Sequence, residues 1–244
     1  MPKKVSLKQF LIKTGKFDNV SECIGAIKSG MMTIDDKPVT NPNFYFNSKK
    51  SMVKMNEEKL KRSSNLYLVM NKPLGFICQK SPNEKSIYDL INVLGFKKEE
   101  LKSLHSVGRL DKDTEGLVIL TNDGKFGSMI ADPSSNVVKR YFAVLEKPMD
   151  RQKMRLLEKG VFIELDDQQY KTKKCKIKSA GEKEAYISIS EGKKRQIRKM
   201  FESIGNKVIY LKRISIGGLQ LGDLKAGEIK QVDRNYIIQK IIYD

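Results

Sequence analysis

Apolar positions in this chain follow two periods, and the change from one to the other outlines its organisation. Leu7 to Lys16 and Ser21 to Ser29 carry helical spacing and predict two short helices, while Thr33-Ile34-Asp35-Asp36-Lys37-Pro38-Val39 predicts a tight strand-turn-strand. Asn47 to Ser64 is polar and lysine-rich, with no sustained period, and is expected to contain a flexible linker. Past it, Leu66 to Met70 is a continuous apolar run that predicts a buried strand, closed by the turn residues Asn71-Lys72-Pro73-Leu74-Gly75. Leu117 to Leu120 is a second such run. Phe142, Val144 and Glu146 alternate with Tyr141, Ala143 and Leu145, and Lys174 to Ser179 with Glu184 to Ser190 predicts a hairpin about Ala180-Gly181. Helices are expected at Asp150 to Lys159, with Asp150 as N-cap, and at Lys193 to Ile204, where Ile197, Met200, Phe201 and Ile204 form one stripe. The pattern predicts an α+β protein. A small N-terminal α/β module occupies residues 1–62, and a larger domain over 63–244 has a mixed, mostly antiparallel sheet flanked by helices.

Charge narrows what such a protein meets. The 244 residues hold 47 Lys and Arg against 29 Asp and Glu, a formal charge of +18, so the chain is attracted to polyanions. Nucleic acid is the first candidate and an anionic membrane surface the second. Residues 1–62 alone carry 13 basic and 6 acidic side chains, too little chain for a large core and better suited to binding than to catalysis. No apolar stretch approaches the roughly 18 residues of a membrane span, and Met1-Pro2-Lys3-Lys4 does not open a signal peptide, so a cytoplasmic location is expected. Three scattered cysteines, Cys23, Cys78 and Cys175, argue for a reducing compartment rather than a disulfide framework. With His105 as the single histidine there is no Cys/His zinc constellation and no Ser-His-Asp triad; His105 itself reads as structural. Neither a phosphate-binding Gly-x-x-x-x-Gly-Lys-Ser/Thr loop nor a dinucleotide Gly-x-Gly-x-x-Gly is present, so no nucleotide cofactor is expected.

The candidate chemistry sits in Gly108-Arg109-Leu110-Asp111-Lys112-Asp113-Thr114-Glu115-Gly116, a polar loop bounded by glycines that runs into the apolar strand at Leu117. A rigid strand behind a polar loop is a good mount for a working carboxylate. Asp111-x-Asp113-x-Glu115-Gly116 also imitates the opening of a calcium loop, yet the twelfth position is Asn122 and the loop leads into a strand, so no metal is expected. A carboxylate-based nuclease would need a second cluster of metal ligands. Downstream, Gly192 to Arg213 carries eight basic residues against the single acid Glu202, and guanidinium groups on a rigid helix suit phosphate contacts.

Together these segments resemble the ribosomal RNA pseudouridine synthases of the RsuA group. Gly108-Arg109-Leu110-Asp111, with Asp113-Thr114-Glu115-Gly116-Leu117 and Leu120-Thr121-Asn122-Asp123-Gly124, is similar to the catalytic motif of that family. Asn71-Lys72-Pro73-x-Gly75 precedes it, and Lys139-Arg140-Tyr141 and Arg195-Gln196-Ile197-Arg198-Lys199-Met200 follow in the family's order. The resemblance implies isomerisation of uridine to pseudouridine in ribosomal RNA, without a cofactor and with an extruded base. It assigns Asp111 as the catalytic carboxylate, Arg198 as its ion-pairing cation, Tyr141 as the ring packed against the uracil, and Arg109 as the side chain that enters the RNA. Lys112, Lys194, Arg195 and Lys199 join Arg109 as expected RNA-binding residues. Residues 1–60 resemble an S4 RNA-binding domain, although Asp18-Asn19-Val20-Ser21-Glu22-Cys23 departs from the arginine-bearing pattern that opens its second helix. Ribosomal RNA is the expected partner and a monomer the expected state. The rival is a non-catalytic RNA-binding or ribosome-assembly protein, which would tolerate Asp111→Asn.

Overall fold

The computed structural model describes residues 4–92 and 95–242. Of Met1-Pro2-Lys3-Lys4, the first three residues lie outside them, as do positions 93, 94, 243 and 244. The described chain divides into two compact units. The first contains residues up to Leu66 together with Ile91–His105 and Thr121–Asp123; the second contains Tyr67–Leu90, Ser106–Leu120 and everything from Gly124 on. The division falls after Leu66, and two later segments join the first unit.

In the first unit the helix Leu7–Ile12 begins at a reciprocal cap. Ser6 Oγ accepts from the Gln9 amide and Gln9 Oε1 accepts from the Ser6 amide, each at 3.3 Å. Asn19 caps the second helix, Val20–Lys28, by accepting from the Glu22 amide at 2.8 Å. Both helices pack Leu7, Phe10, Leu11, Cys23 and Ile27 against Met32, Ile34, Val53 and Leu60. Burial pushes the Cys23 thiol up to about 11, as suits a core side chain.

Within the polar stretch 47–64 the structure adds two strands that the sequence pattern did not predict. Val53–Met55 and Glu58–Lys59 form a hairpin beside Met32–Ile34, which pairs in turn with Lys37–Pro38. Two-residue turns make this possible: Asp35-Asp36 and Asn56-Glu57 all have positive φ, the conformation that matches strand twist. Most lysines of this stretch are exposed, and Val53 and Leu60 enter the core with Met55 packed against it, a thin apolar signal.

A mixed sheet organises the second unit, in the order Lys176–Ser179, Glu184–Ile189, Lys139–Leu145, Val208–Ile216, Glu115–Thr121, Tyr67–Lys72 and Ile229–Gln231. Most of its pairings are antiparallel, and Val208–Ile216 meets Glu115–Thr121 in parallel. Helices Gly124–Ala131 and Arg234–Ile242 supply Phe126, Ile130, Ile237 and Ile241 to a core with Tyr67, Val69, Leu117, Ile119 and Ile216. Tyr141, Ala143 and Leu145 are buried while Phe142 and Val144 are half-exposed, so the alternation selects the face as expected. The 176–179 and 184–189 hairpin and the Asp150 cap, accepting from the Lys153 amide at 2.7 Å, also match expectation.

Candidate active site

The carboxylate loop is fixed at several main-chain points. Thr114 donates its amide to the Asp111 carbonyl at 3.0 Å, which closes the turn that carries Asp111. Gly116 then enters the strand with φ of +119°, opposite Arg213, and a Cβ built there would lie 2.3 Å from the Arg213 carbonyl oxygen. Only glycine allows this parallel approach. From the other side, Gly75 donates to the Lys112 carbonyl at 2.9 Å and Leu110 donates to Cys78 Sγ at 3.3 Å.

Lys72 is the buried support of the loop. Its side chain is fully enclosed, and Nζ donates to the carbonyls of Pro73 at 2.9 Å, Phe76 at 2.7 Å and Lys112 at 3.4 Å. Burial holds its pKa below the ordinary lysine range, opposed in part by the acidic groups of Cys78, Asp113, Asp111 and Glu115. Sequence reading quoted Lys72 only within a motif. The available signal was a lysine ending a strand whose other residues are all compatible with full burial.

The loop borders a cleft of about 530 Å³, a size common for ligand sites. Asp111, Arg109, Lys112, Tyr141, Lys194, Arg195 and Arg198 all line it, with Ile77, Ile189, Ile197 and Leu211 as apolar surface. Seven of the eight residues picked out from the sequence are thus brought together. The exception is Lys199, whose ammonium donates to the Glu164 carbonyl at 2.5 Å and which is not part of the cleft wall. Lys112 borders the cleft but is paired with Glu84 at 2.8 Å. Tyr141 is 7% exposed, next to a register shift between Arg140 and Tyr141 where Lys139–Leu145 pairs with Val208–Ile216. Such irregularities re-aim side chains.

The arginine segment departs from expectation in two ways. Its helix runs Gln196–Glu202, not from Lys193 to Ile204, because Arg195 adopts the left-handed conformation with φ 53° and ψ 26°. That turn is held by Gln196, whose Oε1 accepts from the Lys193 amide at 2.9 Å and whose Nε2 donates to Glu191 at 2.5 Å. Glu191 is 7% exposed and also accepts from the Tyr170 hydroxyl at 2.6 Å and the Lys173 amide at 2.9 Å. Glu191 drew no notice in the sequence; its signal was one acid separated by Gly192 from a run of basic residues.

The second departure concerns the ion pair. Arg198 meets Asp113 instead of the expected Asp111: Nε lies 3.2 Å from Asp113 Oδ2, although it is not aligned for a hydrogen bond. Its Nη2 donates to the Asp113 carbonyl at 2.6 Å and its Nη1 to the Val208 carbonyl at 2.8 Å. Two main-chain carbonyls fix the guanidinium plane, and the carboxylate reached by the remaining edge is that of Asp113. Arg195 completes the arrangement with a bidentate pair, Nη1 to Oδ1 at 3.1 Å and Nη2 to Oδ2 at 2.9 Å. Burial works to raise the Asp113 pKa, but the Arg195 hydrogen bonds and the charges of Arg198 and Arg195 outweigh it and hold the carboxyl below its ordinary range. Glu115 faces elsewhere, toward Lys212 at 2.8 Å and the Tyr210 hydroxyl at 3.0 Å. The three acids of the calcium-like spacing therefore do not share one point, and among the described residues no group of His, Cys, Asp and Glu is arranged to hold a metal.

Residues 66–203 match the family model described as RNA pseudouridylate synthase. The chain is 32% identical over 212 residues to ribosomal large subunit pseudouridine synthase B of Bacillus subtilis, covering 84% of this chain and 83% of that one. It is 30% identical over 214 residues to ribosomal small subunit pseudouridine synthase A of Escherichia coli, covering 86% and 89% respectively. A crystal structure of a pseudouridylate synthase superposes with a TM-score of 0.69 at 27% identity, over 97% of this chain and all of the other.

Proposed function

Because this chain belongs to the RNA pseudouridylate synthase family, we propose that it isomerises a specific uridine of ribosomal RNA to pseudouridine, with Asp111 as the essential carboxylate acting on a flipped-out nucleotide. The observation that carries this reading is the placement of Asp111 on the wall of a basic cleft that also contains Tyr141 and Arg109. Support for ribosomal RNA as the substrate comes from the two relatives, one named for each ribosomal subunit.

The reaction breaks the bond from C1′ to N1, turns the uracil, and joins C1′ to C5, whose proton is then lost. N1 ends with a proton, so atoms balance, no electron is transferred and no cofactor is required. Asp111 acts at the ribose, by attack on C1′ or by removal of the 2′ proton, and both routes need the carboxylate ionised. Lys72 and Gly116 keep the loop in place behind it. Tyr141, buried at the cleft wall, is a positioning surface for the uracil. Extrusion of the base costs a few kcal/mol, and the exposed Arg109 offsets part of it by occupying the vacated place in the RNA. Lys194 and Arg195 meet phosphates at the cleft mouth, as does Lys112 once it leaves Glu84. The first unit serves as an S4-like RNA-binding module, and a ribosomal RNA substrate puts the enzyme in the cytoplasm.

The test is a pseudouridine map of both ribosomal RNAs from cells lacking the gene, complemented with wild type or with Asp111→Asn. One site is expected to vanish on deletion and return only with wild type. A site restored equally by Asp111→Asn would overturn the assignment of the carboxylate.

A further inference from the structure

The cations of the first unit are spread unevenly, and five of them ring one small pocket. Lys49, Lys50, Lys59, Lys61 and Arg62 border a depression of about 330 Å³ whose floor includes Phe10, Val53 and Leu60. Among the described residues no acid lines it.

The two sides of this rim are built by different local devices. On one side Asn47 closes a turn: its side-chain oxygen accepts from the Lys49 amide at 3.1 Å and its carbonyl from the Lys50 and Ser51 amides at 3.0 Å each. The lysine pair is thereby held just ahead of the strand Val53–Met55. On the other side Leu60 donates its amide to the Val53 carbonyl at 2.9 Å and buries its side chain, which leaves Lys59 and Lys61 exposed to either side of it. Arg62 ties the two sides together, with Nη1 donating to Ser48 Oγ at 3.4 Å.

The acids that could neutralise this rim are engaged elsewhere. Six lie between residues 1 and 62. Glu58 pairs with Lys16 at 2.6 Å, Asp36 and Glu57 with Lys54 at 2.6 and 3.6 Å, and Asp18 with Lys102 at 2.5 Å. Asp35 accepts from the Met52 amide at 2.8 Å and Glu22 from the Asp18 amide at 2.9 Å. Lys49, Lys50, Lys59 and Lys61 form no ion pair among the described residues. Their neighbourhood is felt at Lys13, whose pKa is held below the ordinary lysine range by burial and then by the Arg62 charge. Crowded like charges without a counter-ion repel one another, and a bound polyanion relieves that repulsion.

We propose that this pocket binds the sugar–phosphate backbone of the substrate RNA, with successive phosphates on the lysine rim. It shares no residue with the cleft of Asp111 and is a second RNA contact on the same chain. The opening turn of the helix Val20–Lys28 carries Glu22 and no cation, so the lysine pocket and not that helix start takes the RNA. A lipid surface fits less well, because Phe10, Val53 and Leu60 are buried and leave no apolar group on the floor to enter a bilayer. The inference deepens, and rests on, the reading of the first unit as an RNA-binding module.

Two double variants of the full chain are compared with wild type for binding to small- and large-subunit ribosomal RNA transcripts over a range of salt. Lys50→Gln/Lys61→Gln removes one cation from each side of the rim; Lys28→Gln/Lys37→Gln removes the same charge from exposed positions that do not line the pocket. The rim variant is expected to bind roughly tenfold more weakly at about 0.1 M salt, with a salt slope shallower by about 1, while the control stays within about twofold. On C5-tritiated transcripts its KM rises with its Kd, and kcat at saturating RNA holds within about twofold. In wild type, bound RNA shields Lys49, Lys50, Lys59 and Lys61 from acetylation, whereas Lys28 and Lys37 react equally with and without it. Equal weakening by the two variants, an unmoved salt slope, or no shielding of the rim lysines overturns the proposal. Shielding by phosphatidylglycerol vesicles and not by RNA overturns it in favour of a membrane. If wild type releases no tritium from either RNA, the synthase reading falls instead, and the binding comparison still decides the pocket.

Discussion

The loop that begins at Gly108 and the segment Gly192–Arg198 line the same cleft but are specified in different ways. The loop is held mainly by main-chain contacts that local residue types announce: a turn closed by Thr114 onto Asp111, and a glycine where only glycine fits against Arg213. The arginine segment is held by a buried carboxylate, Glu191, which joins Gln196 to Tyr170 and Lys173 some twenty residues earlier in the chain. The first kind of geometry can be read locally, whereas the second depends on a partner that spacing does not reveal.

The strongest blow to the loop is Gly116→Val. A side chain there meets the Arg213 backbone at φ +119°, and we expect a loss of at least about 3 kcal/mol in urea unfolding. Unchanged stability would mean that the parallel approach is not rigid. Glu191→Ala strikes the other region. It leaves the Tyr170 hydroxyl, the Lys173 amide and Gln196 without their acceptor, with an expected loss of about 2 kcal/mol and a larger fall in kcat than in RNA affinity. An equal fall in both would show that the network supports the fold without setting the arginine turn.

Asp113→Asn gives the smallest stability effect, because the carboxylate is 46% exposed and solvent screens the pair; under about 1 kcal/mol is expected at pH 7. The sign of its pH dependence is fixed. The folded-state pKa of Asp113 is held below the ordinary 3.8, so its contribution is complete above that value and fades as pH falls through the lowered one. The unfolding free energies of wild type and Asp113→Asn should therefore converge in acid. A gap that persists there would assign the effect to something other than ionisation.

What could be read from the sequence follows the same division. The strands about Leu68, Ile119 and Ala143 and the caps at Ser6, Asn19 and Asp150 rest on local periodicity or one hydrogen bond, and the strands and the Asp150 cap were legible. The second hairpin of the first unit was not, since Val53 and Leu60 are a weak signal among lysines. Seven of the eight residues singled out from motifs line one cleft, yet their pairing was not legible. Which aspartate takes Arg198 depends on the Val208 carbonyl, ten positions downstream on the strand that follows the helix. The contact of the Lys199 ammonium with the Glu164 carbonyl, thirty-five positions upstream, was equally invisible to spacing.

The central claim is that one carboxylate on this loop performs the chemistry. Its most direct test pairs tritium release from C5-labelled ribosomal RNA with binding of the same RNA, for purified wild type and Asp111→Asn. The account predicts that Asp111→Asn binds RNA within about twofold of wild type while its turnover falls by roughly a thousandfold or more, as loss of an essential acid–base or nucleophilic group should produce. Turnover by Asp111→Asn within a few fold of wild type would contradict it.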